Sequence, residues 1–416
     1  MESWRSVPVP QPLPGPTYQV RAFDSASGQV RPVGPAEGQA RLYVCGITPY
    51  DATHLGHAFT YLTFDLLHRA WLQAGLTVHY TQNVTDVDDP LLERAQATGA
   101  DWVELATSQI DLFRTDMEAL RILPPGTYLG AVESIPAVVR LVQRLQDGGQ
   151  VYPASDPQYP DLYFRTRGAP GFGEVSHLGP EAMQSLFAER GGDPGRHGKQ
   201  DPLDCLVWRQ ARPGEPSWDS PLGRGRPGWH IECTAIALES LGEGFDVQGG
   251  GNDLVFPHHE MCAAEAAAAT GHPLAQAYLH VAMVGLDGEK MSKSLGNLVL
   301  VSRLRQAGVN PMAVRLVLLG HHYRQEWEWT DADLQAAEQR LARWRSALSG
   351  ATAVPADETV AQVREAVADD LHADRALLAV DDWAQRCRQA DQDHPGARDK
   401  VRSLLDSLLG VAVDAG

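Results

Sequence analysis

An apolar run, Arg41-Leu-Tyr-Val-Cys-Gly-Ile47, passes through the turn Thr48–Thr53 into a long amphipathic stretch that opens on His54-Leu-Gly-His57. Phe64, Leu67 and Trp71 recur there at helical spacing, and Leu62 and Leu66 widen the apolar face. Gly75 suits the helix stop. Thr77-Val-His-Tyr-Thr-Gln-Asn-Val84 follows at once and reads as the next strand. Strand, helix and strand at this spacing make a βαβ unit. Parallel strands need such a crossover, so the chain is committed to an α/β fold with a parallel sheet.

Around that unit, the 416 residues predict a segmented chain. Residues 1–115 read as the first half of a Rossmann-like catalytic domain, with the Pro- and Gly-rich first 40 residues running over its surface. Residues 116–225 read as a connective insertion, and 226–300 as the second half of the sheet domain. Residues 301–330 connect to a C-terminal helical bundle, 331–416. Within that bundle the segments 331–349, 357–369 and 372–390 are amphipathic, with Asp331 as the first N-cap, and 397–409 reads as a further helix.

Several classes are disfavoured by composition. No uninterrupted apolar run is long enough for a membrane span, and the first residues lack the apolar core of a signal peptide, so a cytoplasmic protein is expected. The formal charge of -18 disfavours a large phosphate backbone as partner. Cys45, Cys205, Cys233, Cys262 and Cys387 are odd in number and scattered, which suits metal ligands or free thiols better than a disulfide framework.

The chemistry begins at His54-Leu-Gly-His57. A helix start presents free N–H groups and a positive dipole end to an anion. Gly56 lets a flat base approach the backbone, and His54 and His57 can hydrogen-bond phosphate oxygens. Alone, the motif describes surface histidines equally well. More than 200 residues later stands Lys290-Met-Ser-Lys-Ser294, where Lys290 and Lys293 can stabilise charge developing on a departing pyrophosphate. Cys45, Cys233 and His258 each fall near an expected strand end or helix start of one sheet. Two cysteines and a histidine with an open fourth position form a catalytic zinc pattern. Buried free thiols and a capping histidine remain the alternative at this point.

The two motifs in this order resemble the class I aminoacyl-tRNA synthetases. The resemblance implies their Rossmann-like sheet, with Gly249-Gly-Gly-Asn-Asp253 as the adenosine-ribose loop and Asn83-Val84-Thr85 facing the same crevice. Tyr43–Asp51, Gly228–Cys233 and Phe256–Glu260 are similar to cysteinyl-tRNA synthetases, which implies one zinc ion per chain on Cys45, Cys233 and His258, completed by the substrate thiolate. Where those enzymes carry a fourth ligand, a glutamate, this chain has Cys262. It either reaches the metal across one helical turn or fills the core; His259 reads as structural.

Pro49 and Pro90 depart from the synthetase pattern. The runs 45–58, 83–90, 189–194, 223–230 and 290–294 instead resemble the cysteine ligase family of mycothiol biosynthesis, and the chain stops before an anticodon-binding region would begin. That resemblance implies that L-cysteine is activated by ATP, with Mg²⁺, as cysteinyl adenylate. Cysteine then passes to the amine of glucosaminyl-inositol. His54, His57, Lys290 and Lys293 are the implied catalytic residues. Cys45, Gly46, Ile47, Thr48, Thr60, Asn83, Val84, Thr85, Trp229, Gly251, Asn252, Asp253 and Val284 are the implied substrate contacts. A monomer with no tRNA and no membrane partner is expected. Alternatives are a cysteinyl-tRNA synthetase, truncated, and a non-catalytic paralogue that binds cysteine or adenylate. Glu189–Pro194 is either a tight loop near the acceptor or a plain surface turn.

Overall fold

The computed structural model describes residues 1–50, 53–291 and 297–414. An N-terminal hairpin, β1 (Arg21–Asp24) and β2 (Gln29–Pro32), precedes β3 (Gln39–Val44), α1 (Leu55–Gln73) and β4 (Thr77–Val84). Helices α2 (Asp89–Thr98) and α3 (Trp102–Ala119) lead to β5 (Thr127–Gly130) and α4 (Ile135–Asp147). There follow β6 (Val151–Pro153), β7 (Leu162–Phe164), α5 (Pro180–Glu189), β8 (Cys205–Gln210) and β9 (Gly225–Pro227). The chain returns through α6 (Trp229–Leu241), β10 (Phe245–Gly251), α7 (Glu260–Thr270) and β11 (Ala275–Val281). Beyond them lie β12 (Val284–Leu286), β13 (Glu289–Lys290), α8 (Val301–Gln306), α9 (Pro311–Leu319) and β14 (Trp327–Glu328). Four helices complete the described chain: α10 (Asp331–Ser349), α11 (Asp357–Ala368), α12 (Ala373–Cys387) and α13 (Ala397–Ser407).

The central sheet has the order β11-β10-β3-β4-β5, and every pair is parallel. Alternation along the strands sorts the two faces. Leu42, Val44, Val247 and Leu279 join the core that contains α1, whereas Tyr43, Cys45 and Tyr278 join one that contains Cys233 of α6 and Cys262 of α7. From β3 the chain moves outward to β4 and β5, and it later returns to the other side of β3 as β10. The crevice beyond the C-terminal ends of β3 and β10 is therefore the topological switch point, where open α/β sheets bind ligands.

Two expectations shift. The sequence starts the insertion at residue 116, whereas β5 pairs with β4 through Thr81↔Thr127 to Val84↔Gly130. The sheet domain thus extends to residue 130, and the inserted antiparallel sheet is β6-β7-β8-β9. Four residues, two of them Thr127 and Gly130, carry too little apolar pattern to announce a strand. The first 40 residues are also more embedded than a surface run: Trp4 and Val20 are buried, and Trp4 Nε1 donates to Ile122 O at 2.7 Å. The bundle helices form where their periodicity predicts, although Thr330, not Asp331, caps α10 by accepting from Asp333 N.

One ionic cluster ties these parts together. Asp65, fully buried in the middle of α1, accepts from Arg69 Nε at 2.8 Å, from Leu123 N at 2.8 Å and from Arg315 of α9. Both guanidiniums are also fully buried. Arg69 donates onward to Asp406 O and Arg121 O, and Arg315 to Leu409 O and Leu120 O. Burial alone would raise the Asp65 carboxyl, but Arg69 and Arg315 outweigh it and hold the group below the usual aspartate range. Asp65→Asn leaves two buried cations uncompensated and is expected to cost about 3–5 kcal/mol in urea unfolding. A lowered native pKa stabilises above the unfolded value, near 4, and that stability is lost as pH falls through the native value. The wild-type urea midpoint should therefore drop on acidification below about pH 4, with that component missing in Asp65→Asn.

Candidate active site

A cavity of about 250 Å³ opens at the switch point. Its entrance wall is the start of α1. His54 adopts an extended conformation as N-cap, and its Nδ1 accepts the His57 N–H at 3.4 Å. The two imidazoles stack with centroids 3.7 Å apart. Gly56 has a local steric reason: an added Cβ would lie 3.0 Å from the His54 ring. Leu55 N donates to Val299 O and Val301 N to Thr53 O, so the segment after Lys290–Ser294 is bridged to the helix start. Lys290 ends β13. Ser292, Lys293 and Ser294 lie outside the described residues.

The loop leaving β3 forms the floor. Asn83 Oδ1 accepts from Gly46 N at 2.8 Å and from Tyr43 OH at 3.1 Å, while Thr85 N donates to Ile47 O at 3.0 Å. An added Cβ at Gly46 would lie 1.6 Å from Asn83 O, so only glycine permits this approach. Tyr61 OH of α1 donates to Cys45 O at 3.1 Å. Asn83, Val84 and Thr85 are buried behind the loop and position it; they do not line the cavity.

Below this floor Cys45, Cys233 and His258 converge. One potential ligand atom from each lies within 4.8 Å of the others, and all three residues are buried. Cys233 sits in the first turns of α6; His258 lies in the kinked segment Val255–His259, in which Phe256 is extended, between β10 and α7. The Cys45 thiol hydrogen-bonds Cys233 and, with His258 nearby, holds it well below the usual thiol range, whereas burial drives Cys45 well above it. Two thiols and an imidazole at this spacing are a donor set suited to zinc. Cys262 is fully buried, and its Sγ donates to His230 O at 3.4 Å. It stands outside this group and fills the core.

Histidines surround the sulfurs. His259 Nε2 meets Cys45 Sγ at 3.2 Å, His259 Nδ1 meets His280 Nε2 at 2.7 Å, and His280 Nδ1 meets Ser25 Oγ at 2.7 Å. His230 and His258 face each other through their Nδ1 atoms at 3.0 Å. Burial pushes His230 and His259 well below the ordinary imidazole value and His280 down to about 3. Burial thus favours the neutral form of all three rings.

Glu189–Pro194 acquires a role that the sequence left open. Arg190 caps α5 and donates to Asp253 O at 2.8 Å and Phe256 O at 2.6 Å. It clamps the insertion onto the loop that runs from the end of β10 to His258. A second clamp is Glu260, whose carboxylate accepts from Gly173 N and Ser176 N, both at 2.7 Å. Trp229, at the start of α6, stacks on His258 with centroids 4.4 Å apart.

Of the expected contacts, Cys45, Gly46, Ile47, Thr48, His54, His57, Thr60, Trp229, Gly251 and Asp253 line the cavity. Asn252 and Val284 do not; Val284 is buried at the start of β12. Tyr50, Tyr61, Leu254, Met283 and Met291 also line the cavity and are not among the expected contacts. Their aromatic or apolar character carries no chemical signal in a sequence. His322, Asp370 and His372 form a second group within 4.8 Å. There the Asp370 carboxylate already accepts from Phe23 N, Tyr323 OH and Arg324, which makes it a structural junction.

Comparison with known proteins agrees with this architecture. Residues 32–339 match the family described as tRNA synthetases class I (C) catalytic domain. The L-cysteine:1D-myo-inositol 2-amino-2-deoxy-alpha-D-glucopyranoside ligase of Thermobifida fusca (strain YX) is 59% identical, covering 100% of this chain and 99% of its own. The ligase of that name from Kribbella flavida is 58% identical over 99% of this chain and 100% of its own. Among solved structures, Mycobacterium tuberculosis methionyl-tRNA synthetase in complex with methionyl-adenylate superposes with TM-score 0.60 at 17% identity, covering 90% of each chain. The Agrobacterium radiobacter K84 agnB2 LeuRS in its ternary complex superposes with TM-score 0.64 at 12% identity, over 90% of this chain and 84% of its own. These structures share the fold. By the matched domain and by full-length identity, the chain belongs to the class I (C) synthetase catalytic-domain family and, within it, to the L-cysteine:1D-myo-inositol 2-amino-2-deoxy-alpha-D-glucopyranoside ligases.

Proposed function

We propose that this protein is an ATP-dependent, amide-forming ligase that activates L-cysteine as cysteinyl adenylate and transfers it to the amine of glucosaminyl-inositol. One observation carries the reading: Cys45 belongs both to the thiol–imidazole group and to the wall of the cavity that His54 and His57 line. A substrate sulfur and a nucleotide phosphate would then be held a few bonds apart, as a cysteinyl adenylate requires.

Cys45, Cys233 and His258 would hold one zinc ion, leaving a position for the substrate. Bound there, zinc supplies a soft Lewis acid that lowers the pKa of a substrate thiol and favours it over a hydroxyl. Trp229 walls the cysteine site and orients His258 by stacking. A cysteine carboxylate oxygen attacks the α-phosphorus of ATP, supplied with Mg²⁺, and the bond to pyrophosphate breaks. His54 and His57, aided by Lys290 and Lys293, stabilise the developing charge. The Asp253 carboxylate accepts from ribose hydroxyls. The sugar amine then attacks the cysteinyl carbonyl, the bond to AMP breaks, and the amine proton leaves to solvent or buffer. Holding both reactants in one crevice supplies much of the rate. The reading is of a cytoplasmic monomer acting on small molecules.

Cysteine-dependent AMP formation should require glucosaminyl-inositol and remain absent with tRNA alone; AMP release with tRNA only would overturn the reading. Lys293→Ala should slow cysteine-dependent ATP–pyrophosphate exchange by about 10²–10³-fold, the scale of losing one transition-state charge partner. A non-catalytic binder has no exchange to lose. Second-sphere changes at metal sites cost about 10–100-fold. Cys233→Ser, which removes a ligand, should lower zinc content toward zero and exchange by at least about 100-fold. Arg190→Ala removes charged hydrogen bonds from the Asp253–Phe256 loop and should raise the KM for ATP by about 10-fold, with a smaller change in kcat.

A further inference from the structure

Gln248, on β10, is fully buried, yet neither its Oε1 nor its Nε2 has a hydrogen-bond partner. Leaving both ends of a primary amide unsatisfied in a core is costly, and such a group calls for a specific account. Its position supplies one. Gln248 pairs with Tyr43 of β3 and with Tyr278 of β11. Laterally paired residues of a parallel sheet project to the same face, and the Tyr43 face is the one that carries Cys45, Cys233 and Cys262. Cys45 N is fixed to Gly249 O at 3.0 Å, which sets the Cys45 sulfur beside the Gln248 side chain. A neutral amide offers no charge to a protonated thiol, but its N–H groups are good partners for a thiolate.

We propose that Gln248 is a positioning residue for the metal group: when a cation is bound, its Nε2–H donates to the Cys45 thiolate and tightens the hold on the metal. The proposal rests on the reading of Cys45, Cys233 and His258 as a zinc site. It accounts for an amide that is unsatisfied without the cation and useful with it. Outer hydrogen bonds to ligands of this kind tune metal affinity.

The test measures zinc affinity of the full chain by competition with a chromophoric chelator, with the sulfur-to-metal charge-transfer band of the Co²⁺-loaded protein as a second readout. Gln248→Met keeps the shape and removes the donors. It should weaken zinc binding by about 10–100-fold, shift the Co²⁺ band to lower energy, and leave the Tm in chelator unchanged or higher. Gln248→Asn, with its amide on a shorter stem, should fall between and serves if the methionine variant does not fold. Gln82→Met is the control. Gln82 is also a buried glutamine with a partnerless Nε2, but it pairs with Val44 and so projects to the opposite face of the sheet. Its replacement should leave affinity and band unchanged. Unchanged affinity and band in the Gln248 variants would overturn the proposal, as would an equal loss in Gln82→Met. If the wild type binds no zinc, or Cys233→Ser binds it equally well, the zinc site itself is refuted and the role of Gln248 falls with it.

Discussion

A single carboxylate, Asp65, holds the architecture in register. It lies at the centre of α1 between two buried guanidiniums, and their remaining donors reach carbonyls of the α3–β5 connection and of the C-terminal segment Asp406–Leu409. Apolar packing alone would allow α1 to slide or rotate against its neighbours, since it is non-directional. Charged hydrogen bonds to fixed carbonyls do not allow that. The N-terminal end of the same helix presents His54 and His57 to the cavity. The helical bundle, none of whose described residues lines the cavity, therefore still bears on the position of the histidines.

Cys45 is the point where the two halves of the site meet. Its backbone is held by Gly249 through its N–H and by Tyr61 through its carbonyl, and its sulfur meets His259. The parallel sheet explains why. Strands that enter the switch point from opposite directions of the topology, β3 and β10, must lie side by side with their C-terminal ends together. A residue just past β3 then lies beside the segment that follows β10: Cys45 meets His259, and its sulfur lies within 4.8 Å of a His258 ring nitrogen. Separations of more than 200 residues along the chain collapse to hydrogen-bond distance.

Much of this was legible in the sequence, and the boundary of what was not is physical. Long amphipathic periods announced α1 and the bundle helices because many residues vote for each. The five-stranded sheet was legible only in part, since β5 is four residues long and is recognised by its partner β4, not by its own pattern. His54, His57, Cys45, Cys233 and His258 could be picked out because their side chains are chemically distinctive. Asn83 and Thr85 were picked out too, yet the structure has them support the floor from behind. Arg190, Gln248 and His280 were not assigned roles. An arginine, a glutamine and a histidine are unremarkable in a one-dimensional chain, and what marks them is a clamp, an unsatisfied amide and a ring-to-ring contact that exist only after folding.

The imidazoles around the sulfurs show why burial matters to such a site. A protonated histidine beside a thiolate would neutralise it and compete with a metal ion. Burial disfavours the cationic form of His230, His259 and His280, so none of the three offers that competing charge near neutral pH. Neutral rings can still be polarised in one direction. If Cys45 accepts as a thiolate, His259 must donate from Nε2 and accept at Nδ1. His280 must then donate from Nε2 and accept at Nδ1, and Ser25 must donate. One assignment satisfies every link from the N-terminal hairpin to the sulfur. In that assignment the dipoles of the chain all point their positive ends at Cys45 and would stabilise a metal-bound thiolate without placing a full charge there. The charge itself is left for a cation to supply.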